Sequence, residues 1–171
     1  VHCQITNPRI LQGMKDQNLL AYIQPVFIDL DMNTVEPAIG AHRMDKVYAW
    51  KSMLDMGIHA SGGSDAPVVS FDAMENIYFA VTRKNISGQP QEGWIPSEKM
   101  SVDEAVKLFT KNAAYASYTE EENGTIEVGK NADFVVIEKD IYEIDPDEIK
   151  TTKVDMTVLG GEIVYEREAE E

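Results

Sequence analysis

The 171-residue chain is predicted to be an α/β protein, with parallel βα units followed by a β-rich tail. Three observations carry that prediction. Over the first two thirds, short apolar runs alternate with amphipathic helical stretches. Ser-, Gly- and Asp-rich turns follow the strand candidates, on the edge where such sheets place their chemistry. The charge then changes near Glu120 to Asn123: residues 1–119 hold 13 acids and 10 bases, and residues 120–171 hold 17 and 5. The chain divides accordingly into 1–121 and 122–171.

Each element has a local reason. Val1 to Ile5 is a short apolar piece, read as a strand that His2 ends or lines. Asn7-Pro8 offers an N-cap and a proline at the first helical position, for a helix to about Asp16. Leu19 to Val26 reads as a buried strand ended by Pro25. Arg43 to Met56 reads as a helix, with Val47, Trp50, Met53 and Leu54 on one face and Gly57 as its stop. Ile58 to Ser61 is a strand running into Gly62-Gly63-Ser64-Asp65-Ala66-Pro67. Asp72 caps a helix whose inner side holds Ile77, Ala80 and Val81, and Ile86 to Lys99 is a loop. Ser101 with Glu104 is a capping box ahead of Val102, Ala105, Val106 and Phe109. In the tail, Gly124–Val128, Asp133–Glu138 and Val154–Tyr165 read as strands. Gly160-Gly161 marks a hairpin, and Asp145–Ile149 a single helical turn.

Composition excludes several partners. A net charge of −15 with no basic cluster disfavours nucleic acid and anionic membrane surfaces. No apolar run approaches the roughly 18 to 20 residues of a membrane span. Cys3 is the only cysteine, so a reducing, cytoplasmic setting is expected. There is no charged-then-apolar leader, and a chain opening on Val1-His2-Cys3-Gln4 is expected to be a piece of something longer.

Few residues suggest chemistry, and each has two readings. Asp65 at a strand tip suits a metal ligand or a proton acceptor, and equally a turn or helix cap. His2 suits a metal ligand, and equally a lone histidine bonded to backbone. Two ligands are too few for zinc, which takes three or four. His59 lies at the wrong end of its strand and His42 in a loop, so neither completes the set. Cys3 has no histidine–acid partner and reads as a packed thiol. Trp94 and Tyr115 read as packing side chains that also suit substrate contact.

The string Gly57-Ile-His-Ala-Ser-Gly-Gly-Ser-Asp65-Ala-Pro-Val68, then Ala80-Val-Thr-Arg83, is similar to the metal-dependent amidohydrolases, in particular the YtcJ-like, amidohydrolase-3 type. His2-Cys3-Gln4 resembles that group's His-x-Gln after strand 6, and Gln24-Pro25 the end of its strand 7. Leu108 to Ala116 with Gly124 to Asp133, and Val158 to Tyr165, resemble its last barrel helix and its terminal β segment.

The resemblance implies a (β/α)₈ barrel of which this chain holds about strands 6 to 8, followed by part of a small composite β domain. A whole barrel takes about 250 residues. It also implies hydrolysis of a C–N bond in a small-molecule amide or cyclic amide. One or two divalent ions, usually zinc, would be held in part by His2 and Asp65. Asp65 would serve as general base and Gln24 would line the pocket. The family's strand 1 His-x-His, strand 4 bridging residue and strand 5 histidine have no counterpart here. The isolated chain is therefore expected to be a poor catalyst and a weak metal binder. It would need the missing N-terminal portion of the barrel, and its open edges would favour a homo-oligomer. Two alternatives stand beside this: a non-catalytic regulatory module like the exoenzyme-regulator relatives, and a small βα domain that kept the descent without the function.

Overall fold

The computed structural model describes residues 1–168; residues 169–171, which end the acidic terminal run, lie outside the described residues. Asn7 accepts the Ile10 N–H at 2.9 Å and starts α1 (Pro8–Asp16), with proline at the first turn where its missing N–H costs nothing. β1 is shorter than Leu19–Val26: it spans Ala21–Ile23, and the chain after Pro25 turns directly into α2 (Phe27–Asp31). α3 (Val35–Ile39) and a 3₁₀ turn over Ala41–Lys46 follow.

The helix expected over Arg43–Met56 is broken. Val47 pairs antiparallel with Ile5, and Tyr48 takes φ +50°, so only α4 (Trp50–Asp55) is α-helical. Val47 is buried because it faces the N-terminal segment, which mimics a helical face in the sequence. Gly57 at φ +80° ends α4, and the Ile58 N–H returns to the Met53 carbonyl at 2.9 Å. β2 then spans Ala60–Gly62, two residues later than the expected start.

β1 and β2 pair in parallel, Ala21 opposite Ala60 and Ile23 opposite Gly62, as predicted for βα units. Beside β1 lies the N-terminal segment, whose His2 N–H donates to the Tyr22 carbonyl at 2.7 Å. That segment is not the expected strand, because His2 and Cys3 take φ of +67° and +51°. Beside β2, the Asn112 side-chain amide donates to the Ala60 carbonyl at 2.9 Å. A Cβ on Gly62 would fall 2.6 Å from Cζ of Phe109, so only glycine fits under that ring.

α5 (Ala73–Thr82) is capped by Asp72, which accepts the Met74 and Glu75 N–H groups at 2.7 and 3.3 Å. Ile77, Ala80 and Val81 are buried on it as expected. The loop after it holds a 3₁₀ turn, Pro96–Glu98. α6 (Val102–Phe109) carries the complete Ser101–Glu104 capping box. Its buried residues are Ala105 and Leu108, and Val102, Val106 and Phe109 are half-buried. α7 (Lys111–Ala116) follows directly.

In the tail, Gly124–Val128 is not a strand. Lys130 Nζ gathers that segment into a loop, donating to the Glu120 carbonyl and the Thr125 hydroxyl at 2.7 Å each, and Ile126 and Val128 are exposed. β3 (Phe134–Ile137), β4 (Val154–Leu159) and β5 (Glu162–Glu166) form an antiparallel sheet in that order. Gly160 and Gly161, both at positive φ, make the expected hairpin turn. Asp145 caps the expected helical turn, a 3₁₀ segment over Pro146–Thr151. That turn docks on α5: Ile149 is fully buried, Lys84 pairs with Asp147 at 2.7 Å, and Lys150 Nζ lies 4.5 Å from the Tyr78 ring centre. One buried cluster thus joins Leu11, Ile23, Trp50, Met53, Phe79 and Leu108 to Ile141 and Ile149.

Candidate active site

The parallel pair fixes where the candidate residues stand. Gln24 directly follows β1, and Gly63, which donates to the Ile23 carbonyl at 2.9 Å, directly follows β2. Asp65 lies two residues further, exposed, with φ +63°. His2 stands beside Gln24: its Nδ1 is 2.8 Å from Gln24 Oε1, and its ring stacks on Phe27 at 5.6 Å between centres. His2, Gln24 and the Asp65 loop therefore share the C-terminal end of the sheet, the end at which α/β folds hold ligands. Asp65 also closes a turn, its carbonyl accepting the Val68 N–H at 2.9 Å.

The remaining candidates are occupied elsewhere. His59 stacks on Tyr115 at 4.4 Å, at the start of β2. His42 is exposed in the 3₁₀ turn Ala41–Lys46. Burial pushes the Cys3 thiol up, which keeps it protonated and suits packing rather than nucleophilic attack. A groove of about 410 Å³ between Asp72, Lys150, Thr157 and Tyr165 lies beside the tail sheet, and none of His2, Gln24 and Asp65 lines it.

Behind His2 stands a network that sequence reasoning missed. Gln4 Nε2 donates to Asp31 Oδ2 at 2.8 Å and to the Tyr48 hydroxyl at 2.7 Å, and that hydroxyl in turn donates to Asp31. Burial, then the bond to Asp31, hold the Tyr48 phenol well above its usual range. Trp50 Nε1 donates to both the His2 and Cys3 carbonyls at 3.3 Å. Arg83, fully buried, donates from Nε to the Trp94 carbonyl at 3.0 Å and from Nη1 to the Tyr48 carbonyl at 3.1 Å. Its guanidinium lies over Trp94 and Trp50, 5.4 and 5.8 Å from the ring centres. Burial lowers the Arg83 pKa to about 10, and the Glu98 charge opposes that fall. Glu98, itself buried, caps α4 by accepting the Ser52 N–H at 2.9 Å.

One signal ties the network to the site. Of the eight described non-glycine residues at positive φ, five are His2, Cys3, Tyr48, Asp65 and Arg83. Such backbone costs of order 1–3 kcal/mol per residue and persists where surrounding contacts over-determine it, which is typical of functional sites. The sequence signal available was Arg83 in Ala80-Val-Thr-Arg83, a polar residue closing an apolar helix.

The chain belongs to the amidohydrolase family, whose model matches residues 1–165. It is 34% identical over 167 residues to YtcJ of Bacillus subtilis, covering 98% of this chain and 32% of that one. It is 35% identical over 122 residues to N-substituted formamide deformylase of Arthrobacter pascens, covering 71% and 22%. A crystal structure of a metal-dependent hydrolase from Pyrococcus furiosus superposes with a TM-score of 0.66 at 25% identity, covering 77% of this chain and 26% of that one. The chain thus spans about a third or less of the length of these relatives. Among the described residues no helix is long and apolar enough to cross a membrane.

Proposed function

We propose that the chain is the C-terminal part of an amidohydrolase barrel, about strands 6 to 8 over residues 1–121, followed by a segment of a small composite β domain over 122–171. The proposed reaction is hydrolysis of a C–N bond in a small-molecule amide or cyclic amide. The observation that carries this reading is His2, Gln24 and the Asp65 loop at one end of a parallel sheet, in a chain matched by the family over residues 1–165.

The family implies a divalent ion, with zinc as the proposed metal, which lowers the pKa of a bound water and polarises a carbonyl. Among the described residues, no group of three or more His, Cys, Asp and Glu is arranged to hold an ion. The donor set of this chain therefore does not fit the metal by itself. His2 and Asp65 are proposed as its share of the ligands, the rest coming from the missing N-terminal portion of the barrel. On this chain, the exposed Asp65 carboxylate takes a proton from the attacking water and returns it to the leaving amine, the exchange a general base performs between the two halves of hydrolysis. Gln24, beside His2, borders the pocket.

The isolated chain is proposed to be inactive and to self-associate through its tail sheet, where Val135, Ile163 and Val164 are each more than half exposed. The partner proposed for it is a small amide, and neither nucleic acid nor a membrane. The reading is tested by mixing the chain with an N-terminal segment of a YtcJ-like amidohydrolase and assaying amide hydrolysis with added zinc. Restored turnover that falls about 10²–10⁴-fold with Asp65→Asn supports it. Turnover that survives Asp65→Asn overturns the general-base role, and no turnover over a range of amides favours a non-catalytic interaction module.

A further inference from the structure

We propose that the groove between the end of α2 and the loop after α5 is a binding site for a single neutral sugar ring. None of His2, Gln24 and Asp65 lines it, so the proposal stands apart from the hydrolytic reading above.

The lining sets the ligand class. The groove holds about 300 Å³, the lower end for small-molecule sites. Met32 and Asn33, just past α2, line it together with Asn85, Gln89, Pro90 and Trp94 of the loop. None of the six is charged, in a chain of net charge −15. A phosphate or carboxylate would meet no cation in that lining, and an amine no carboxylate. Met32, Pro90 and Trp94 supply apolar surface, and the other three supply carboxamides. A carboxamide donates and accepts at once, as a hydroxyl does. The solute that matches both is an uncharged ring with apolar C–H faces and a rim of hydroxyls.

The polar groups are open. Among the described residues the Asn33 and Gln89 side chains, Asn85 Nδ2 and the Trp94 indole N–H make no hydrogen bond. An indole N–H that is half enclosed ordinarily finds a partner.

The frame around them is closed. The Asn85 N–H donates to the Gln89 carbonyl at 2.6 Å, and the Gln89 N–H returns to Asn85 Oδ1 at 2.8 Å. The Tyr78 hydroxyl donates to the Asn85 carbonyl at 2.9 Å. The Ile86 N–H donates to Asp29 Oδ1 at 2.7 Å, which ties the loop to α2. Arg83 then fixes Trp94. Its Nε donates to the Trp94 carbonyl at 3.0 Å, and the Trp94 N–H donates to the Arg83 carbonyl at 2.6 Å. The guanidinium lies 5.4 Å from the Trp94 ring centre, and Tyr48 meets that ring edge to face at 5.1 Å. A lining held before the ligand arrives spares the ordering cost of binding.

The test is nitrogen-15 NMR of the whole chain, titrated with methyl β-glucopyranoside up to about 50 mM, well past a millimolar Kd. The chain has two indole N–H signals, and Trp94→Phe identifies the Trp94 one by its loss. The sugar is expected to shift the Trp94 indole and the Asn33, Asn85 and Gln89 side-chain amides along one saturating curve, with the Trp50 indole unmoved. Glucuronate, the same ring with a carboxylate, and cyclohexanol, an apolar ring with one hydroxyl, are each expected to bind at least fivefold more weakly. Asn33→Leu with Gln89→Leu, both exposed positions, is expected to weaken sugar binding about tenfold, the worth of two hydrogen bonds, and to leave cyclohexanol unaffected. Shifts that do not saturate, or that are equal at both indoles, would overturn the proposal. So would glucuronate or cyclohexanol binding as tightly as the sugar, or a double variant that binds the sugar as well as the unaltered chain.

Discussion

The βα region and the tail sheet treat the same kinds of residue in opposite ways. In residues 1–116, Trp50, Met53, Tyr78, Phe79 and Leu108 are all at most 1% exposed, and even Arg83 is fully enclosed. In the tail sheet, Phe134, Val135, Val136, Ile163, Val164 and Tyr165 all remain exposed, and β5 has no buried residue. Both regions carry apolar strands, so the difference does not lie in the apolar content of the strands. The first has helices on its sheet, while the tail sheet docks mainly through the 3₁₀ turn at Ile149. Apolar pattern alone tells that a surface wants covering; the covering element decides whether it becomes a core.

Four variants and one compensating change test that contrast, by urea unfolding followed by circular dichroism. Met53→Ala, in the enclosed region, is expected to cost about 2–5 kcal/mol because the cavity left cannot collapse; a loss under about 1 kcal/mol would mean that the helices there are loosely packed. Gly62→Ala is expected to cost about 1–3 kcal/mol, since the new methyl meets the Phe109 ring, and Phe109→Leu in the same chain should recover part of it. Glu98→Gln is expected to cost about 1 kcal/mol, weakening the cap on Ser52 and removing the charge facing Arg83. Val136→Thr with Ile163→Thr is expected to stay within about 0.5 kcal/mol in the monomer. Sedimentation velocity should then show less self-association, and unchanged association would place the contact elsewhere.

Local chemistry was legible in the sequence wherever it was decided by neighbours. The Asn7 and Asp72 caps, the Ser101–Glu104 box, the Gly57 stop, the Asp145–Ile149 turn and the Gly160-Gly161 hairpin all follow from side chains within a few residues. The parallel pairing of β1 with β2 followed from the order of elements. What failed was set at long range. Val47 left its helix to pair with Ile5, 42 positions earlier, and Lys130 folded Gly124–Val128 into a loop. His2, Gln24 and Asp65 could be named from the motifs, and the bond between His2 and Gln24 could not. The Gln4–Asp31–Tyr48 cluster and the Arg83 slot join residues 11 to 44 positions apart, and no periodicity encodes such pairs.

The chain has only two tryptophans, Trp50 and Trp94, and both lie against the Arg83 guanidinium. Its tryptophan emission, excited apart from the seven tyrosines, is therefore a single-site signal that comes from the shell behind His2. The tail beyond Glu120 contains no indole and is dark to that signal. Emission and circular dichroism recorded on the same sample would then report two different parts of the molecule. A ligand or partner that settles on the His2 turn would register in the first, while one that covers the tail sheet would leave it unmoved.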